Sequence, residues 1–278
     1  MFTLRQYLLA LLDSRGLTRT LGEIDVCRDE QGRPCFSAGN SAAVFRIRLG
    51  GRIRSLRCYL RPMRHLKEIY GQRLLEKELY LHTSPETGVW VDTVLGDWIE
   101  GSTLHETVAQ AAALRDRESL QILVRLFDRL ALALVTDDRA HGDLKPENII
   151  VGDDGTLCPI DFDASYLPAF AGEISPELGT AAYQHPARTA ADFDERIDDY
   201  PAALISTALH ALAENPTLWD RYGSSDGLLY TPQRIASDPA YRETLALFEK
   251  RGMAVQYRIA QLLTAPTPVS YTHLTLPT

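Results

Sequence analysis

His141-Gly142-Asp143-Leu144-Lys145-Pro146-Glu147-Asn148-Ile149-Ile150-Val151 is the stretch on which the reading of this chain turns, and Asp161-Phe162-Asp163 begins thirteen residues after Asn148. Asp143 and Lys145, two apart on a short loop, place a carboxylate and a cation where both can face one reacting group. Asn148 and Asp161 stand at the two ends of a short hairpin, Ile149-Ile150-Val151 and Leu157-Cys158-Pro159-Ile160, turning at Asp153-Asp154-Gly155. The hairpin brings an amide oxygen and a second carboxylate together, a donor set for a hard divalent cation. Phosphoryl transfer from ATP needs these parts: a carboxylate facing the acceptor hydroxyl, oxygens holding Mg²⁺ on the phosphates, and a cation on the migrating group.

Working outward, the residues up to Gly101 read mainly as strands and those beyond it mostly as helices. Residues 4–13 have helical apolar spacing through Leu4, Leu8, Leu11 and Leu12. Arg33-Pro34-Cys35-Phe36 reads as a strand start. Val44 to Leu49 alternates with period two, Gly50-Gly51 is a hairpin turn, and Ile53 to Leu60 returns. Pro62 ends that strand, residues 63–76 read as a helix, and strands follow around 78–83 and 89–96. Beyond Gly101, helices are expected over 104–114, 117–135 and 199–213, with further helix in 239–263. The second of these has Leu120, Leu123, Phe127, Leu130 and Leu134 on its core stripe. The expected fold class is α+β: a small antiparallel sheet with one helix, then a mostly helical half.

Composition narrows the function classes. The chain has 278 residues, 45% hydrophobic and 24% charged, with a net charge of −8, which suits a globular fold with a sizeable core. Residues 1–100 carry 15 Lys and Arg against 12 Asp and Glu, residues 101–278 carry 14 against 25. The acidic second half argues against nucleic acid as a partner and accommodates basic peptides or bound metal. Tyr7-Leu8-Leu9-Ala10-Leu11-Leu12 is too short for a membrane span and lacks a signal-peptide cleavage site. Cys27, Cys35, Cys58 and Cys158 have no C-x-x-C spacing and read as reduced thiols, which gives a cytoplasmic expectation.

The central stretch resembles the catalytic loop H-R-D-L-K-P-E-N of the eukaryotic-like protein kinase superfamily, and Asp161-Phe162-Asp163 resembles its D-F-G metal motif. The resemblance runs over residues 33–262. Gly179-Thr180-Ala181-Ala182-Tyr183-Gln184-His185-Pro186 looks like the end of an activation segment, and Asp198-Asp199-Tyr200 like the D-x-W before the central helix. Asp97-Trp98-Ile99-Glu100-Gly101 looks like the hinge, whose backbone would hydrogen-bond adenine. The resemblance implies a two-lobed kinase-like fold: an N-terminal extension at 1–32, an N-lobe at 33–96, a hinge at 97–101, a C-lobe at 102–264, and a disordered or non-native tail at 265–278. It implies ATP with Mg²⁺ or Mn²⁺, and a protein or peptide Ser/Thr hydroxyl as acceptor. By position Asp143 resembles the catalytic base, Lys145 the phosphate-contacting lysine, and Asn148 and Asp161 the metal ligands. His141 would brace the loop.

The pattern also has departures. Aligning Val44 with the valine after the glycine-rich loop puts Ser37, Gly39 and Ala42 at its glycine positions, leaving Gly39 alone. Arg57 stands where a strand lysine grips the α- and β-phosphates. Glu68 is its expected helix partner, with Glu76 second. Gly142 replaces the loop arginine that receives a phosphorylated activation segment, Asp163 replaces the glycine of D-F-G, and Ala187 the glutamate of A-P-E. Three functions follow: a Ser/Thr protein kinase, a small-molecule phosphotransferase of aminoglycoside or choline type, and a pseudokinase scaffold.

Overall fold

The computed structural model describes residues 1–267, so most of the expected tail lies outside the described residues. The fold is two-lobed and α+β, with one compact unit over Met1–Ile99 and a second from Glu100 onward.

The first unit opens with helix α1 (Leu4–Leu12), started by a capping box in which Thr3 and Gln6 exchange side-chain and backbone hydrogen bonds. The strands are β1 (Asp25–Val26), β2 (Phe36–Ala38), β3 (Ala42–Leu49) and β4 (Arg52–Tyr59), followed after helix α2 (Leu66–Tyr70) by β5 (Leu74–His82) and β6 (Gly88–Asp97). They form one antiparallel sheet in the order β1-β3-β4-β6-β5, with β2 also on β3. Gly50 and Gly51, both at positive φ, make the β3–β4 turn.

Alternation gives the sheet two unlike faces. Ala43, Phe45, Ile47, Leu56 and Cys58 are fully buried and cluster with Tyr7, Ala10 and Leu11 of α1 and with Leu79, Leu81 and Val91. The Tyr7 hydroxyl donates to the Tyr59 carbonyl at 2.6 Å. Residues 1–32 are therefore built into this unit and help form its core.

The helix expected over 63–76 is much shorter. Its α-helical part, Leu66–Tyr70, has five residues, starting after His65 at φ 60 and stopping at Gly71 at φ 52. A single 3-10 turn, Gly71–Arg73, follows, and Leu74 and Leu75 then pair with Val94 and Thr93. The apolar Leu74 and Leu75 at the end of the expected helix thus belong to the sheet.

The sequence gives no hint of what Glu78 does. This buried carboxylate on β5 receives the backbone N–H groups of Arg19, Thr20 and Leu21 at 3.1, 2.9 and 2.9 Å, and the Thr20 hydroxyl at 2.6 Å. It ties the loop after α1 to the sheet. Glu78→Ala removes the acceptor of the Thr20 and Leu21 N–H groups and of the Thr20 hydroxyl, while the Arg19 N–H keeps the residue-78 main-chain carbonyl at 3.0 Å, and is expected to cost about 2 kcal/mol of stability. Denaturant unfolding of the purified chain measures this, and a loss below about 1 kcal/mol counts against the assigned role.

The second unit carries a three-stranded antiparallel sheet, β7 (Gly101–Thr103), β8 (Ile149–Gly152) and β9 (Leu157–Pro159). Its helices are α3 (Leu104–Ala113), α4 (Arg117–Thr136), α5 (Asp199–Glu214), α6 (Leu218–Tyr222), α7 (Pro239–Arg251) and α8 (Ala254–Leu262). α4 buries Leu120, Leu123 and Phe127 on the expected stripe, with Leu130 and Leu134 partly buried against the same core. α5 is buried along almost its whole length, which explains its Ala- and Leu-rich sequence without a polar face. Gly252 at φ 69 closes α7 and separates it from α8. Among the described residues no helix is long and apolar enough to cross a membrane.

Candidate active site

The loop between α4 and β8 is held from beneath by Asp198, at the foot of α5. Its buried carboxylate accepts the N–H of His141 and, at 3.0 Å, that of Gly142. Burial pushes this carboxyl above the usual range, against the pull of His141, the two amides and Arg188. The His141 ring closes the loop from the other side. Nε2 donates to the Ile160 carbonyl at 2.7 Å, and Nδ1 accepts the Asp143 N–H at 3.3 Å. His141 thus joins the loop to the residue before Asp161, a bracing position.

Gly142 has φ +81, and a Cβ there would lie 2.0 Å from the Ala164 carbonyl oxygen. Only glycine fits, so the arginine of the resembled motif is excluded by the backbone itself.

Asp143 and its neighbours form a connected polar group. Oδ1 accepts the Thr180 N–H at 2.5 Å, and Oδ2 lies 3.2 Å from Asn148 Nδ2 and 3.3 Å from Lys145 Nζ. Lys145 also donates to the Thr180 hydroxyl at 2.8 Å. The Asp143 and Lys145 side chains are 19% and 22% exposed, accessible yet largely desolvated, which strengthens their interaction. Thr180 belongs to the segment that resembles an activation-segment end, so that segment touches the acid and the cation of the loop directly.

Asn148 directs its amide nitrogen to Asp143, donating to the carbonyl oxygen at 2.9 Å as well as to the carboxylate. Its Oδ1 is thereby left as the oxygen for another partner. The Ile160 N–H donates to the Asn148 carbonyl at 2.9 Å, which sets Asp161 beside Asn148 at the open end of the β8–β9 hairpin. Asp161 adopts the left-handed conformation, φ 67 and ψ 64, unusual for a residue with a side chain. No cluster of three or more His, Cys, Asp or Glu suited to a metal occurs among the described residues. One carboxylate and one amide oxygen fit a cation whose remaining ligands come from phosphates and water.

In the first unit, strand register places the expected nucleotide residues. Ser37, Val44, Arg57 and Val94 are direct partners across β2, β3, β4 and β6, so Val44 and Arg57 share one face, opposite the face that α1 covers. Gly39 lies in the β2–β3 turn, where its N–H donates to the Ala42 carbonyl at 2.9 Å. Its φ is not positive, and an added Cβ would come no nearer than 4.0 Å to its surroundings. Glu68 is exposed on α2, and Glu76 pairs with Lys67 at 3.5 Å. Asp97, at the end of β6, lies 3.4 Å from Arg54, and its carbonyl accepts the Ser55 hydroxyl at 3.1 Å. Trp98 stacks under the Arg46 guanidinium, 5.7 Å from the ring centre, and Ile99 follows, half-buried.

No family model matches the chain. Curated relatives do. It is similar to CBL-interacting protein kinase 17 of rice, Oryza sativa subsp. japonica, at 28% identity over 172 residues, covering 59% of this chain and 35% of the relative. It is similar to the serine/threonine-protein kinase PknL of Mycobacterium tuberculosis at 34% identity, covering 38% and 27%. It is similar to the serine/threonine-protein kinase chk1 of Schizosaccharomyces pombe at 25% identity, covering 56% and 31%. The matched region spans about a third or less of these relatives' length. The loop motif, the α+β architecture and these relatives agree in supporting a protein kinase superfamily member.

Proposed function

We propose that this chain transfers the γ-phosphoryl group of ATP to a Ser or Thr hydroxyl of a protein or peptide, with Mg²⁺ or Mn²⁺ on the phosphates. The observation that carries this reading is the joint placement of Asp143, Lys145 and Asn148 against Thr180. Asp143 orients the acceptor hydroxyl and takes its proton as the oxygen attacks phosphorus. Lys145 offsets negative charge on the migrating group. Asn148 Oδ1 and the Asp161 carboxylate would hold the divalent cation, which neutralises phosphate charge when bound. In the first unit, Arg57 would reach the α- and β-phosphates from the face it shares with Val44, and the backbone at Asp97–Ile99 would bind adenine. The direct tie between Thr180 and Asp143 favours a protein acceptor over a small molecule, because it makes the segment that would seat a peptide part of the reacting group.

A second reading, a nucleotide-binding pseudokinase, is favoured by α2. The helix that would present Glu68 to Arg57 is five residues long, and its glutamate is exposed. A thermal melt with ATP separates the readings at the metal step. Asp161→Ala is expected to abolish the Mg²⁺-dependent part of ATP stabilisation, a shift that follows the ratio of ligand to Kd. An ATP shift in the parent that is equal with and without Mg²⁺ favours the pseudokinase. Incubation with labelled ATP and dephosphorylated casein then tests transfer itself.

A further inference from the structure

Gly142 cannot carry the arginine that this loop has in the resembled motif, yet an arginine reaches the same place from elsewhere. Arg188, two residues past Pro186, donates through Nη1 to the Gly142 carbonyl at 3.3 Å and to Gln184 Oε1. Gly142 is thus gripped on both sides, its N–H by Asp198 and its carbonyl by Arg188. We infer that Arg188 is a positioning residue that pins the Gly142–Asp143 turn and replaces, from the far end of the activation segment, the arginine that the loop itself cannot hold. This rests on the kinase reading above insofar as it concerns turnover.

Three observations support the assignment. The Arg188 Nε and Nη2 atoms are buried with no hydrogen-bond partner among the described residues, so the side chain is not placed there to satisfy its own donors. Burial lowers its pKa, while Asp198, Asp143, Asp192 and Asp194 act in the opposite direction, so its charge sits within reach of Asp143 and of the Asp198 that holds the loop. A desolvated guanidinium with two idle nitrogens is a poor contributor to stability. What it does provide is a fixed donor on the carbonyl that precedes Asp143. The contact also needs no phosphate, because the segment and the loop are already joined through Arg188 and Thr180.

The test compares the full chain with Arg188→Met and Arg188→Lys. Hydrogen exchange of residues 141–148 is read first, since it does not depend on turnover. Arg188→Met is expected to speed exchange in this loop at least about tenfold, while the melting temperature stays within about 2 °C or rises. With Mg-ATP and dephosphorylated casein, kcat is expected to fall at least about tenfold and KM for ATP to change less than about twofold, with Arg188→Lys recovering part of the rate. Unchanged loop protection in Arg188→Met, or kcat retained in it, overturns the inference and leaves the kinase reading standing. Accelerated exchange in a protein whose parent transfers no phosphate supports the pin and overturns the active-kinase reading. Should Arg188→Met fail to fold, Arg188→Gln decides: loop protection and kcat per folded protein both equal to the parent overturn the inference, and a loss of both supports it.

Discussion

Asp143→Asn is expected to lower phosphate transfer to casein by roughly 10²-fold or more while leaving ATP affinity within a few-fold. On the proposed reading, the Asp143 carboxylate accepts the proton of the attacking hydroxyl. The amide removes that capacity while keeping size and shape. It also reverses a local polarity. Oδ2 faces two donors, Asn148 Nδ2 at 3.2 Å and Lys145 Nζ at 3.3 Å. With the amide oxygen kept on the Thr180 N–H, the new NH₂ would point at both donors, so Asn148 and Lys145 lose an acceptor as well. On the proposed reading Asp143 meets the acceptor hydroxyl and not the nucleotide, so ATP binding should survive. The measurement is a pair: initial rates with labelled ATP, and a thermal-shift titration with Mg-ATP. Equal rates in parent and variant would remove Asp143 from the mechanism. A parallel collapse of ATP affinity would assign it to ground-state binding instead.

How much of this was legible in the sequence depends on the range over which each feature is specified. Asp143, Lys145, Asn148 and Asp161 stand at short fixed spacings because one loop and one hairpin must present them together, so a linear reading finds them. The β3–β4 hairpin was legible through the period-two alternation of Val44 to Leu49 and the Gly50-Gly51 turn, while β5 was expected only from about residue 78 and starts at Leu74. The short α2 was not legible, because Leu74 and Leu75 fit a helical stripe as well as a strand. The decision lies in the Gly71 backbone and in partners on β6 some twenty residues away. Glu78 was invisible for a stronger version of the same reason. Its partners are backbone amides 57 to 59 residues earlier, and an amide has no sequence signature. Arg188 reaches a carbonyl 46 residues away, again a backbone group. Gly142 was visible as a departure from the motif. That it is a steric requirement became apparent only with the φ angle and the position of Ala164.

Gly142→Ala is therefore expected to be among the most damaging single-methyl additions in the chain. The residue at φ +81 would lie in a region that costs a side chain about 1–2 kcal/mol before any contact is counted. Its Cβ would meet the Ala164 carbonyl oxygen at 2.0 Å and the carbonyl carbon at 2.7 Å. That backbone has little freedom to yield. Ala164 ends the 3-10 turn Phe162–Ala164 that follows Asp161, and just beyond it Tyr166 and Ala140 exchange hydrogen bonds of 2.9 and 3.1 Å. On the other side, Asp198 holds the Gly142 amide. The combined penalty should reach about 3 kcal/mol or more, and phosphate transfer should fall with it, since relief requires moving either Asp143 or the turn beside Asp161. Gly39→Ala provides the contrast, because that glycine has ordinary φ and open space, and it should change stability by less than about 1 kcal/mol. Denaturant unfolding of the two variants beside the parent reads both effects on one scale. Near-equal stability of Gly142→Ala and Gly39→Ala would show that the loop relaxes around a side chain. In that case an arginine could be accommodated there, and the need for Arg188 to reach in from the activation segment would disappear.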